Sequence, residues 1–317
     1  MQNLSKSKQW DAIVVGGGAA GLSAALMLGR ARRSVLIIDA GSPRNRFAAH
    51  MHGVLGHENT PPRELVQRGR EEVASYGGQF LDAEVTGVDA AAHGVEVSLE
   101  SGERHMARAL IVATGITDRL PEIPGLAERW GISVFHCPYC HGWEVADARL
   151  GVLATSPMAV HQAQMVRQWS DRVTLFAGAG GVDDDVRERL VSRGVVVIDQ
   201  EVTSVVGDGT AINAVTTADG AATPIDAIFT APTVQTHDGF LATLNLEREE
   251  SPFGAGSLIS VDQVGKTSLD RIWAVGNVVN PMANVPMVIG AGAFTGAAVN
   301  GVLIEEEFNL ASVGGSE

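Results

Sequence analysis

The segment His136-Cys137-Pro138-Tyr139-Cys140-His141 holds the only two cysteines of the 317-residue chain. Two thiols at this spacing can close a small disulfide ring and open it again, and Cys-x-x-Cys motifs are a setting in which the reactive thiolate forms readily. One pair cannot build a disulfide framework, so in a chain that otherwise reads as α/β it is a redox signal. Two other readings stand beside it. His136 and His141 could complete four ligands around a zinc ion, although structural zinc usually draws on two separated pairs. The cysteines could also be buried structural residues. The redox reading needs an electron acceptor, and the rest of the chain must supply its binding site.

The N-terminus supplies one. Residues 11–15 form a short apolar strand that runs into Gly16-Gly17-Gly18-Ala19-Ala20-Gly21. A helix pattern follows from 19 to about 31, then a strand over 34–38 ending at Asp39, 18 residues past Gly21. In this G-x-G-x-x-G arrangement Gly16 permits the tight turn. Gly18 admits a pyrophosphate to the backbone, and Gly21 lets helix and sheet approach. The helix N-terminus faces the phosphates and the acid binds ribose hydroxyls. The motif does not say whether the dinucleotide is FAD or NAD.

Further along, His50, His52 and His57 fall within eight residues, with Glu58 the only nearby acid. By spacing they are polar loop residues, and a metal lacks a ladder of acids. A helix is expected over 60–76, strands over 79–85, 94–99 and 109–115, and a linker at Pro121, Pro124 and Gly125. After the cysteines a strand over 149–155, a helix over 159–169 and a strand over 172–176 repeat the N-terminal plan. This second turn, Ala154-Thr155-Ser156-Pro157-Met158, has no glycine fingerprint, and Ala177-Gly178-Ala179-Gly180-Gly181 carries no arginine for a 2′-phosphate. Strands over 214–218 and 227–231, a return linker over 230–239, a strand over 270–277 and a small-residue helix over 288–305 complete the chain. The run Glu305-Glu306-Glu307 reads as a solvated helix end.

Composition sets the outer bounds. The length fits about two domains of ~150 residues each. Hydrophobic residues make up 45% and the net charge is −14, which argues against a nucleic-acid partner. No apolar run reaches the ~18 residues of a membrane span, and residues 1–10 lack a signal-peptide core. A cytoplasmic location is expected, where a Cys-x-x-Cys serves catalysis or redox sensing.

GGGAAG with Asp39, Ala113-Thr114-Gly115, the mid-chain CPYC and the late Ala274-Val275-Gly276-Asn277 occur in the order found in one family. Over nearly its full length the chain resembles the low-molecular-weight thioredoxin reductase family of flavoproteins. The resemblance implies an α/β fold of two Rossmann-like three-layer domains. An FAD domain would come from residues 1–117 and 245–317, with a central NAD(P)H-domain-like unit, 118–244, carrying the cysteines. It also implies a homodimer. Carried over by position, Gly16, Gly18, Ala19, Ala20, Gly21, Asp39, Asn45, His52, Val85, Thr114, Gly115, Gly276, Asn277, Met287 and Val288 would bind FAD.

Three departures mark the chain. Asn277 replaces the usual acid of the last motif, His141 replaces the acid after the second cysteine, and the nicotinamide-site residues are missing. They resemble the dithiol oxidases of the gliotoxin and holomycin type, which are thought to pass electrons from a dithiol to FAD and then to oxygen, giving hydrogen peroxide. On that resemblance a substrate thiolate attacks Cys137 and Cys140 passes electrons to the flavin. His141, which titrates near neutrality, is the general base. His136 is a second base or a rim residue, and His50 and His52 could hold substrate or protonate the flavin. The substrate would be a small-molecule dithiol or a thioredoxin-like protein. A reductase fed by NADPH or reduced ferredoxin is the alternative.

Overall fold

The computed structural model describes residues 9–91, 94–251 and 256–314. Residues 1–8, most of the stretch expected to lack a signal-peptide core, lie outside them. The first sheet is built on strand Gln9–Val15, which pairs in parallel with Val35–Asp39 on one side and Arg104–Val112 on the other. Gln79–Asp82 extends it beyond Val35–Asp39. On the far edge of Arg104–Val112, Gly94–Leu99 pairs antiparallel with its first half and Ile272–Ala274 parallel with its second. Val85–Ala91 closes that side.

Alternation along these strands makes two cores. Ile13, Val15, Ile38 and Leu110 face one way, toward Val88, Val97 and Leu241. Ala12, Val14, Ile37 and Ile111 face the other, toward helices α1 (Ala19–Arg30) and α6 (Val285–Gly314). Each fully buried aliphatic side chain contributes roughly 1.5–3 kcal/mol. Helix α2 (Pro62–Ser75) starts at a proline and buries little besides Val73.

The second sheet is all parallel, in the order Val196–Ile198, Val173–Phe176, Leu150–Leu153, Ala227–Thr230, Val134–Phe135. Helices α4 (Ala159–Val166) and α5 (Asp184–Ser192) cover one face, and Val205, Ile212 and Val215 of a small antiparallel sheet cover the other. Parallel strands covered on both faces are the layered architecture of dinucleotide-binding units. The second unit therefore keeps the strand–helix–strand plan expected from its sequence. The chain crosses between the sheets along Ile116–Arg119 and Thr233–Thr236, which pair antiparallel. The second of these lies within the stretch expected to be a linker. Phe240, Leu241 and Leu244 already pack into the first core. We therefore propose that the return boundary sits at this crossing and not at 244/245.

Helix α6 corrects two expectations. It is long and apolar enough to cross a membrane by length and composition, over Val285–Ser312. One face is nevertheless a core element: Thr295, Val299 and Leu303 are buried, and Gly292 and Gly296 lie against the backbone of Ala20 and Ala24 in α1. Its acidic end is not merely solvated. Glu307 pairs with Arg33 and Arg108, Glu306 with Arg108 and Arg271, and Asp11 joins through Arg108. Those partners are 35 to 274 residues away in sequence, so no local pattern announces them.

Candidate active site

Val15 ends the first strand, and the chain turns through Gly16 with φ +107°. A Cβ there would lie 2.3 Å from the Ala113 carbonyl oxygen, so conformation and space both demand glycine. The Gly17 N–H donates to Asp39 Oδ1 at 3.0 Å, which ties the acid to the turn. Over Gly18 nothing lies within 4 Å of a Cβ position. The first-turn amides of α1, which a helix leaves without internal partners, begin here.

A cavity of about 890 Å³ runs from this turn to the cysteines. Of the residues to which the resemblance assigns FAD, Gly16, Gly18, Ala19, Ala20, Asp39, Asn45, Thr114, Gly115, Asn277 and Val288 line it. Gly21 sits beneath, where a Cβ would strike the Gly16 carbonyl, and Gly276, at φ +83°, packs against Ala20. Thr114 Oγ1 is buried with no partner. An open glycine cradle, a helix N-terminus and an orphaned hydroxyl suit FAD, with its diphosphate and its hydrogen-bonding ribityl chain. The Asn277 amide donates to the carbonyls of Asn280 and Ala283 at 3.0 and 2.9 Å. A carboxylate could not donate, so asparagine here holds the turn into α6 and leaves its own oxygen for a ligand.

Three residues expected at the cofactor, Val85, Met287 and His52, do not line this cavity. Val85 is buried in the first core among Val88 and Leu99 and does not line the cavity. Met287 is 54% exposed and turned away from the cavity, although its neighbour Val288 lines it. Adjacent helical residues do not share a face.

The disulfide arrives from the second sheet. Strand Val134–Phe135 delivers His136 and Cys137, and Cys137 and Cys140 are bonded with Cα atoms 5.3 Å apart. Pro138 opens the single turn α3 (Pro138–His141), a position where its missing N–H costs nothing. Gly142 follows because a Cβ would meet the Trp169 ring at 2.6 Å, and Tyr139 packs edge-on to that ring. Both cysteines line the same cavity as the glycine turn.

His141 stacks on Phe135, ring centroids 4.6 Å apart. Burial holds its imidazole below the ordinary value, His52 pushes the same way, and Glu144 opposes them. Burial also lowers His136, with Arg44 adding to it and Asp118 opposing. His136 Nδ1 lies 3.3 Å from the Thr230 carbonyl. His136 and His141 both line the main cavity. His50 and His52 do not; they line an adjoining cavity of about 580 Å³, and His141 belongs to both.

Several side chains were not foreseen. Arg44 grips Asp118 through two hydrogen bonds of 2.7 and 2.8 Å and the Pro281 carbonyl with a third. Gln162 Nε2 donates to the His136 carbonyl at 2.7 Å. Phe135 was hidden in an apolar strand, and Glu144 among ordinary charges. Gln162 lay in the helix expected over 159–169, but nothing in the sequence singled it out.

A dinucleotide cleft and a redox disulfide opening on one cavity define a flavin-dependent disulfide oxidoreductase with a thioredoxin reductase-like fold. The chain belongs to the pyridine nucleotide-disulphide oxidoreductase family, whose pattern it matches over residues 10–296. It is 31% identical to thioredoxin reductase tcpT of Claviceps purpurea over 96% of this chain and 97% of that one. Thioredoxin reductase sirT of Leptosphaeria maculans is 30% identical, covering 92% and 93%. The crystal structure of HlmI superposes with a TM-score of 0.90 at 41% identity, covering 96% of each chain.

Proposed function

We propose that the chain is a dithiol oxidase. It takes two electrons and two protons from a dithiol, makes the intramolecular disulfide, and passes the electrons through FAD to oxygen, giving hydrogen peroxide. The observation that carries this reading is the state of the second unit's nucleotide turn. Thr155 Oγ1 is tied to Thr230 Oγ1 and the Ala231 carbonyl, both at 2.8 Å, with Pro157 and Met158 following where a pyrophosphate would need open backbone. Beyond the next strand, Arg187 is paired with Asp199, so the region suited to a 2′-phosphate offers a carboxylate beside that cation.

FAD, held by the Gly16–Gly18 turn, Asp39, Thr114 and Asn277, would supply the two-electron acceptor that restores the disulfide. The protein's own residues do the thiol chemistry. A substrate thiolate attacks Cys137, and Cys140 leaves as a thiolate. The second substrate thiol then displaces Cys137 and closes the product disulfide. His141 takes the proton from the attacking thiol; its lowered proton affinity keeps it in the base form at neutral pH. His136, half-buried and held below its ordinary value by that burial, is a rim residue.

A homodimer and a cytoplasmic location belong to this proposal. Met287, Phe294 and Phe308 form an exposed apolar stripe along α6 that supports association. A second reading has a thioredoxin-like protein as partner. It is favoured by the names of the relatives and by Tyr139 and Trp143, which are 73% and 80% exposed beside the disulfide. The test is product stoichiometry in air. One peroxide per small dithiol oxidised, abolished by Cys137→Ser or Cys140→Ser, supports the oxidase. Dithiol loss without peroxide, or turnover that survives both substitutions, contradicts it.

A further inference from the structure

We propose that His52, oriented by Glu58, is a second proton acceptor for dithiol oxidation and works through His141. The proposal rests on the oxidase reading above. Exchange between a dithiol and the Cys137–Cys140 disulfide breaks two S–H bonds and one S–S bond. It forms the substrate S–S bond and leaves the electron pair on two cysteine sulfurs, both released as thiolates. Two protons must therefore leave the substrate in quick succession. His141 is one imidazole and carries one of them. The second needs another base or a path to water.

His52 has the geometry of such a base. Its Nδ1 lies 2.7 Å from Glu58 Oε1, and Glu58 Oε2 accepts the Gly53 N–H at 2.9 Å. Both carboxylate oxygens are therefore committed to fixing this ring, as an orienting acid does for the histidine of a nucleophile–base pair. With Nδ1–H directed at Glu58, Nε2 carries the free lone pair. That nitrogen lies 3.5 Å from Glu144 Oε1, so a proton arriving there meets a carboxylate.

The ring stands nearly perpendicular to His141, centroids 6.3 Å apart, close enough for transfer through one water. His141 is stacked on Phe135 and lines both the disulfide's cavity and the smaller one, whereas His52 lines the smaller one alone. His141 thus borders both the thiols' cavity and His52. Arg46, His50 and Arg63 line the smaller cavity with them, and the Glu58 side chain behind His52 is exposed to water. The hydrogen bonds from His52 and Gly53 hold its carboxyl below the usual range, so it stays an acceptor through the working pH.

The experiment uses the FAD-loaded full chain, wild type, His52→Ala and Glu58→Gln. Anaerobic flavin reduction by dithiothreitol is followed by stopped flow over pH of about 5.5 to 9, with and without imidazole. His52→Ala is expected to slow reduction about tenfold near neutrality, a fraction of the 10²–10⁴ that a direct base supplies. Imidazole should restore the rate, as it would not for a purely structural loss. Glu58→Gln keeps the hydrogen bond without the charge, and should give a smaller slowing with a shifted pH profile.

Proton NMR provides a readout apart from turnover. Once protonated, His52 lowers the proton affinity of His141, so in His52→Ala the His141 titration midpoint should rise. Folded variants with wild-type rates, pH profile and His141 midpoint overturn the proposal, and so does a slowing that imidazole leaves unchanged. If dithiothreitol fails to reduce even the wild-type flavin, the oxidase reading falls and takes the proposal with it. An NMR shift in that case still reports the coupling of the two rings.

Discussion

The sulfur chemistry is divided among a few side chains whose surroundings differ. Cys137 and Cys140 share one disulfide, and His141 is the base beside it. His141→Gln should lower the rate of dithiol-driven flavin reduction about 10²- to 10³-fold while leaving FAD bound. Because burial depresses the imidazole, its base form persists below the ordinary value of about 6.5. The acidic limb of kcat/KM for a dithiol should therefore fall below that pH, and a limb at or above 6.5 would contradict the assignment. Gly16→Ala should give a folded, colourless protein, because its Cβ meets the Ala113 carbonyl at a φ that alanine resists. The flavin-to-protein absorbance ratio reads this directly. The cysteines, the glycine turn, Thr114 and Asn277 were legible in the sequence because each belongs to a motif whose parts are contiguous. Arg44 and Asp118 were not, since a pair separated by 74 residues leaves no local trace. Val85 and Met287 were placed at the cofactor by position in the chain, and the faces on which strand and helix present their side chains leave them out of the cavity lining.

Among the elements, α6 shows how much a long-range contact changes a reading. Its apolar small-residue run was legible as a helix, but its length reaches from Val285 to Gly314 because Arg33, Arg108 and Arg271 engage its far end. Arg108→Met should lower Tm by a few degrees, since a change of 1 kcal/mol moves a chain of 150–250 residues by about 2–4 °C. The acid response carries a sign. Hydrogen bonds from Arg33 and Arg108 hold Glu307 at about 2. Its pairing therefore adds stability above the ordinary carboxyl value of about 4.3, and that contribution is lost as pH falls through about 2. Thermal scans of Glu307→Gln and the parent should differ at neutral pH and converge in strong acid. The edge strand Val85–Ala91 and the crossing Thr233–Thr236 were also missed, because short half-exposed strands carry little periodicity.

For the whole molecule, the two-unit plan was legible because each unit repeats strand, turn, helix and strand within a few dozen residues. How the units face each other was not, because it depends on contacts such as Arg44 with Asp118 and His52 with Glu144. In this arrangement the disulfide and the cofactor turn share one cavity, and the second unit's own nucleotide turn carries Thr155, tied to Thr230 and Ala231, and Pro157 in place of glycines. That combination is the central claim: electrons enter from a dithiol and not from a nicotinamide. The most direct measurement is anaerobic mixing of the FAD-loaded protein with NADPH and, separately, with a small dithiol while the flavin absorbance is followed. The account predicts bleaching by the dithiol alone, with the colour and one equivalent of peroxide returning on admission of air. Rapid bleaching by NADPH would contradict it and make the protein a reductase with an unconventional nicotinamide site.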